Sequence, residues 1–252
     1  MAGTFADRSP PKELSWYINN QSVIKKFMTI ATHPPVTELP PKRERRKEAR
    51  PGELLDAALD LFVEKGFSAA RVDEVAARAG VSKGTLFLYF QSKEDLFKAV
   101  VRENIVNHFP AWEDEFNKFE GSSADMLRYA MNFLWERIGK TRASGITKLV
   151  MSEAQNFPEI ADFYQSEVIK PGHAMIRRIL ERGVHSGEFR PLDVDQAVQI
   201  VIAPMIFLMM WKHSMGVCAA SANLINAEAF IHMQLNTLLH GISAQDSPVT
   251  GI

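Results

Sequence analysis

Residues 51–97 read PGELLDAALDLFVEKGFSAARVDEVAARAGVSKGTLFLYFQSKEDLF, and the fold turns on this stretch. Leu54, Leu55, Ala58, Leu59 and Phe62 share one face of a helix that Pro51 suits as first residue and Gly66 ends. Val72, Val75, Ala76 and Ala79 recur at i, i+3, i+4 and i+7, so a second, shorter helix follows. Asp73 and Glu74 lie in its first turn, where the helix dipole favours acids. Gly80 supplies a tight turn, Val81 drops between the helices, and Ser82 caps a brief third helix. Ser92-Lys93-Glu94-Asp95 reads as a capping box that opens a fourth. Short helices with a Gly turn between the second and third make a helix-turn-helix.

On the third helix Val81, Leu86 and Phe90 point inward. Ser82, Lys83, Gly84, Thr85, Phe87, Leu88 and Tyr89 are left outward or lateral. No acid occurs from Val75 to Gln91, while Arg78 and Lys83 lie within and Lys93 follows. Such a surface repels no phosphate, Gly84 lets a backbone approach, and hydroxyls near a helix start suit anions. A recognition helix entering the major groove needs this chemistry. The run Lys42–Arg50 ahead of it, six bases and two acids, reads either as a solvated linker or as a basic lead-in to DNA.

The stretch resembles the tetracycline-repressor (TetR/AcrR) family of bacterial one-component regulators, most closely over residues 76–97, AARAGVSKGTLFLYFQSKEDLF. The resemblance implies Lys83 and Gly84 near base edges. It places Thr85, Tyr89 and Lys93 on phosphates, Ser82 capping and donating, and Phe87 and Leu88 facing the groove. Two departures stand out. Arg71 replaces a frequent Thr; it can bind phosphate but caps poorly. Phe87 and Leu88 stand where relatives carry Tyr and a polar or aromatic residue, which removes a hydroxyl but leaves groups able to touch a thymine methyl. The operator is therefore expected to differ from those of close relatives.

The chain has 252 residues, 46% hydrophobic and 23% charged, enough to bury a core. With 29 Lys and Arg against 30 acids, a uniformly basic coat is excluded and any nucleic-acid site is local. One cysteine, Cys218, forbids internal disulfides and a cysteine-built zinc site, which fits a reducing cytoplasm. No secretory leader is evident. The uncharged run Gln196–Trp211 is shorter than the ~20 residues a bilayer needs, so no membrane association is expected.

The fold class expected is all-α, with four segments. Residues 1–40, with paired prolines, read as a disordered extension in which Met28 is an alternative start. Residues 41–97 form the basic lead-in and helix-turn-helix, 98–243 a helical effector and dimerisation domain, and 244–252 a tail. Helices are expected over 92–109, 123–139, 144–156, 158–184, 194–215 and 223–240, with Pro158, Pro171 and Pro204 starting or kinking helices.

Nine of eleven methionines lie beyond residue 125, with several aromatics; such side chains shape either an adaptable cavity or an ordinary core. The resemblance places an effector pocket among helices 92–184. Candidate lining residues are Phe116, Phe133, Met151, Tyr164 and His173. Helix 194–215 is apolar around most of its circumference, and 223–240 adds Leu224, Phe230, Leu235 and Leu239. A helix apolar all round must be buried, which predicts a homodimer joined by these two helices.

Enzyme signatures (GxGxxG, P-loop, GxSxG, HExxH) are absent, and the seven histidines show no i, i+4 pair, so neither catalysis, metal nor cofactor is expected. Glu153 and Glu159 are read as solvated or capping. The sequence thus predicts a ligand-responsive repressor that binds a near-palindromic operator and is released by a small, largely apolar effector. Two rivals stay open: an all-α binding protein or enzyme with a merely structural helix-turn-helix, and a DNA-binding regulator without an effector.

Overall fold

The computed structural model describes the backbone of residues 42–218 and 224–242, with side chains from residue 51. The expectations for 1–40 and for the tail 244–252 fall outside these residues. The chain divides into two compact units, 1–47 and 48–252. Of the first, only the helical backbone of 42–47 is described. The second is all-helical, with no strand among the described residues.

Helix α1, Lys42–Ala69, begins earlier than the sequence implied: the charged run is helical and Pro51 lies inside. Lys, Arg and Glu are good helix formers, and at this position they outweigh the missing proline N–H. Gly66, at φ 80°, breaks the helix where its ending was expected.

Helices α2 (Val72–Arg78) and α3 (Lys83–Phe87) flank the Gly80 turn. Gly80 N–H donates to Ala77 O and Val81 N–H to Ala76 O, while Gly80 sits at φ 67°. This is a Schellman closure, which favours glycine at the left-handed residue. Helix α4 (Lys93–Asn104) is capped by Ser92, whose Oγ accepts from Asp95 N–H. Asp95 in turn accepts from Gln91 N–H, one residue further back than in a standard capping box. Phe62, Phe67 and Phe97 pack with ring centroids 5.5–5.6 Å apart and knit α1 to α4.

Beyond α4 a short 3-10 turn leads into α5 (Phe109–Asn117), a helix the sequence pattern does not reveal because Pro110 resembles a terminator rather than a first-turn residue. Helix α6 (Ser123–Leu134) runs into a π-helical turn at Trp135–Gly139, α7 spans Ser144–Glu153, and α8 spans Pro158–Tyr164. A second π-helical turn, Gln165–Ile169, precedes α9 (Lys170–His185), so the expected single helix 158–184 is interrupted. Helix α10 is Val194–Lys212 and α11 is Ala227–Ile242.

The stretch Val194–Val217, 24 residues containing an 18-residue window of mean hydropathy 1.6, is long and apolar enough to cross a membrane by length and composition, beyond the shorter uncharged run inside it. In the folded chain Val198, Val201, Met205, Leu208 and Met209 are buried in the core on one side of α10. Ile200 and Phe207 remain exposed on the other, as do Met215, Val217, Leu224 and Met233 nearby in the sequence.

Candidate nucleic-acid interface

The third helix presents its residues as its pattern implied. Leu86 and Phe90 are buried and Val81 packs against the core. Lys83, Gly84, Phe87, Leu88 and Tyr89 are exposed, and Thr85 is partly so. Leu88 is 84% exposed, which is extreme for so apolar a side chain. Ser82 caps α3 by accepting from Thr85 N–H at 3.1 Å. Its Oγ also lies 2.9 Å from Thr85 Oγ1; whichever hydroxyl donates there, the other keeps its proton for an outside acceptor.

The charges around this face are sorted by pairing. Arg78 forms a double hydrogen bond to Glu64 of α1, at 2.9 and 2.8 Å, which holds the Glu64 carboxyl below its usual range. It therefore braces α2 against α1. Arg71 stands at the start of α2 with no side-chain cap, as its departure from the family pattern implied, and bonds Asp73 at 3.0 and 3.2 Å. Its guanidinium remains exposed.

Lys93 has an internal occupation. Its ammonium donates to the carbonyls of Phe67, Ser68 and Ala70 at 2.8, 3.1 and 3.2 Å and lies over the Phe67 ring. Those carbonyls end α1 and have no helical partner, so the lysine closes that end. The phosphate role that the family pattern suggested for it competes with these bonds. Lys83 carries its charge beside the Phe87 ring, 5.9 Å from the centroid.

Beyond α4 the aromatic side chains pack closely. Phe116 and Phe133 come together, ring centroids 5.7 Å apart, within a cluster that includes Trp112 and Tyr129. Tyr129 donates to Glu115, and its burial raises the phenol pKa. Tyr164 is buried with its hydroxyl 3.1 Å from Thr147 Oγ1, and burial raises its pKa as well. Met151, 57% exposed, and His173, beside Gln199, lie outside that aromatic cluster.

None of the five candidates lines either of two hollows on the surface. One, about 660 Å³, is bordered by α9 residues such as Arg178 and His185. The other, about 360 Å³, lies between Asp56 of α1, Glu103 of α4 and Arg137 and Thr141 beyond α6.

Further contacts tie the helices beyond α5 to α1 and to one another. Arg142 bonds Asp60 and reaches Asp56, both on α1. Glu153 accepts from Ser68 N–H at 3.2 Å, the capping type of role expected of it. Phe157 stacks edge-on to Phe67 at 4.8 Å. Lys212, at the end of α10, donates to the carbonyls of Gly139, Lys140 and Thr141 at 2.8–2.9 Å. His213 Nε2 lies 2.8 Å from Ser144 Oγ, and burial with the adjacent Lys212 charge pushes its pKa down to about 4.

Two family models match this chain. The bacterial regulatory proteins of the tetR family match residues 54–100, and the tetracyclin repressor-like C-terminal domain matches residues 120–222. The chain belongs to the TetR family of bacterial regulators. It is similar to the HTH-type transcriptional regulator YdeS of Bacillus subtilis (strain 168), 28% identical over 172 residues, 67% of this chain and 83% of that protein. It is also similar to the fatty acid metabolism regulator protein of the same organism, 26% identical over 161 residues, covering 62% and 80%. The solved structure of the transcriptional regulator FadR from Bacillus subtilis, in complex with stearoyl-CoA, shares the fold: TM-score 0.58, 23% identity, 76% of this chain and 98% of that one. In this TetR-family regulator, then, α2, α3 and most of α4 lie within the tetR-type match and α6 to α10 within the tetracyclin repressor-like C-terminal match.

Proposed function

We propose that this regulator is a cytoplasmic, non-enzymatic repressor that binds a near-palindromic operator as a homodimer and is released by a largely apolar effector. The observation that carries the DNA side is the exposed row Phe87, Leu88 and Tyr89 beside Lys83, on a helix with no acid near it in sequence. Thr85, Tyr89 and Arg71 are assigned to phosphates, with the spare Ser82–Thr85 proton. Lys83 and Gly84 are assigned to base edges and Phe87 and Leu88 to the groove. Lys93 serves the site by fixing the end of α1.

The exposed apolar residues Ile200 and Phe207 on α10 and Met233 on α11 support a two-fold four-helix contact. Such a dimer sets two recognition helices ~34–36 Å apart, one turn of B-DNA.

For the effector, the similarity to a fatty acid metabolism regulator favours a ligand whose bound part is a long fatty acyl chain. The closed aromatic cluster around Phe116 and Phe133 would open to admit it, with Tyr164 and Thr147 as buried polar groups and Met151 and His173 at the periphery. The effector then selects a conformation that does not fit DNA. Arg142, Glu153 and Phe157 are the contacts through which that conformation reaches α1.

The test uses an operator obtained by selection from random duplexes. Stearoyl-CoA should weaken its binding by a factor within the ~5–150 typical of coupled sites. Unchanged operator affinity at saturating acyl-CoA, with the acyl-CoA shown to bind, refutes release by this ligand.

A further inference from the structure

Phe87 and Leu88 end α3 in a fixed conformation. Leu88 N–H donates to Gly84 O and Thr85 O, and Tyr89 N–H donates to Leu86 O. Leu88 is αR at φ −69° and ψ −24°. On either side Leu86 and Phe90 are anchored in the core. Two apolar side chains are thus held out toward solvent by an ordered backbone, at positions that packing does not use. Burying them against the rest of this chain would need α3 to turn over, which the Ser82 cap and the Leu86 anchor oppose.

Neither side chain has a hydrogen-bond donor or acceptor, so neither can distinguish the donor and acceptor pattern of a base edge. The major groove offers one apolar group, the C5 methyl of thymine. Charge matches this partner: Lys83 stands beside the Phe87 ring, and residues 75–91 contain no carboxylate.

We propose that Phe87 and Leu88 are the specificity-determining residues of the interface and read thymine C5 methyl groups, with at least one such thymine in each half-site. This rests on the DNA-binding reading above and deepens it. The missing hydroxyl at position 87 then changes what is read: a methyl contact stands in place of a hydrogen bond. Lys83 and Gly84 supply the polar readout beside it.

The experiment measures fluorescence anisotropy of the full-length protein on the selected operator, with each thymine replaced singly by deoxyuridine, which removes only the methyl. At the thymines read by the pair, affinity should fall about fourfold per half-site, the worth of one buried methylene-sized group, and ~15-fold when both symmetric positions are changed. Leu88→Ala and Phe87→Ala proteins should bind thymine and deoxyuridine operators alike, because their methyl partner is gone. Leu88 touches too little of the core for its removal to unfold the protein, and circular dichroism of both variants checks this. Tyr89→Phe should keep the wild-type thymine-to-deoxyuridine ratio.

Selective binding that is indifferent to every deoxyuridine replacement overturns the methyl reading alone. So does a ratio that survives in both the Leu88→Ala and Phe87→Ala proteins. No sequence-selective binding to any duplex overturns the operator reading, and this one with it.

Discussion

Gly145 of α7 lies close against Val63 of α1. A Cβ there would lie 2.6 and 2.7 Å from the two methyls of Val63 on α1, and 3.3 Å from His213 Cε1. Gly145→Ala therefore forces α1 and α7 apart or pushes Val63 off its rotamer. Overpacking of this kind costs about 1–3 kcal/mol. Alanine recovers up to ~1 kcal/mol of helix propensity, less here because residue 145 lies in the first turn of α7. The net loss is about 1–2 kcal/mol, a fall in Tm of roughly 2–8 °C for a unit of this size.

Val63→Ala removes the clashing methyls. Val63 is half-buried, so the single change costs about 1 kcal/mol at ~0.8 kcal/mol per methylene-sized group. In the double variant Gly145→Ala should become neutral or slightly stabilising, a coupling of about 1–2 kcal/mol. Urea and thermal unfolding of the four proteins, at one fixed protomer concentration because association shifts apparent stability, reads this directly. Additivity to within ~0.5 kcal/mol would refute close packing of α7 on α1.

Three further outcomes follow from the same structure. The folded-state pKa of His213 lies near 4, below the ordinary 6.5, so the unfolded chain takes up the proton first as pH falls. Its contribution is whole above about pH 6.5 and is lost toward pH 4, on the order of 2 kcal/mol after discounting for partial exposure. His213→Gln should flatten the fall of stability with acid across that window, and an unaltered pH profile would remove His213 as its source. Lys212→Met leaves the Gly139, Lys140 and Thr141 carbonyls without their charged donor and should cost ~2 kcal/mol in urea unfolding, whereas an unchanged midpoint would make the lysine a bystander. Deleting residues 42–50 should lower DNA affinity for all sequences and reduce the salt slope by about 0.9 for each phosphate no longer neutralised; an identical slope would make that run a plain helical extension.

How much of this is legible in the sequence depends on the range of the interactions. The caps at Ser82 and Ser92, the Gly80 turn and the inward trio Val81, Leu86 and Phe90 are local, set by neighbours a few residues away. They appear in the structure as the sequence implied. Arg78 and Lys93 read in sequence as bases facing DNA because their partners are distant: Glu64 lies 14 residues away, and Phe67 lies 26. Arg142 with Asp60, 82 residues apart, gives no signal at all.

The effector candidates rest on side-chain type. Type alone does not tell Phe116 and Phe133, which meet, from Met151, which faces outward. The π-helical turns at Trp135–Gly139 and Gln165–Ile169 insert a residue into an otherwise unbroken helical pattern, so they leave little trace in periodicity. Thr147 gives no mark either: it stands beside Lys148 like an ordinary polar surface residue, yet it proves to be the buried partner of Tyr164.

The recognition face of α3 is best tested by selection from random duplexes at physiological salt, run in parallel with wild-type protein and with Lys83→Ala/Tyr89→Ala protein of equal stability. Wild type should enrich a near-palindromic site with half-sites one helical turn apart, and the double variant should enrich none. Equal enrichment of one site by both proteins would contradict the assignment of DNA recognition to this face.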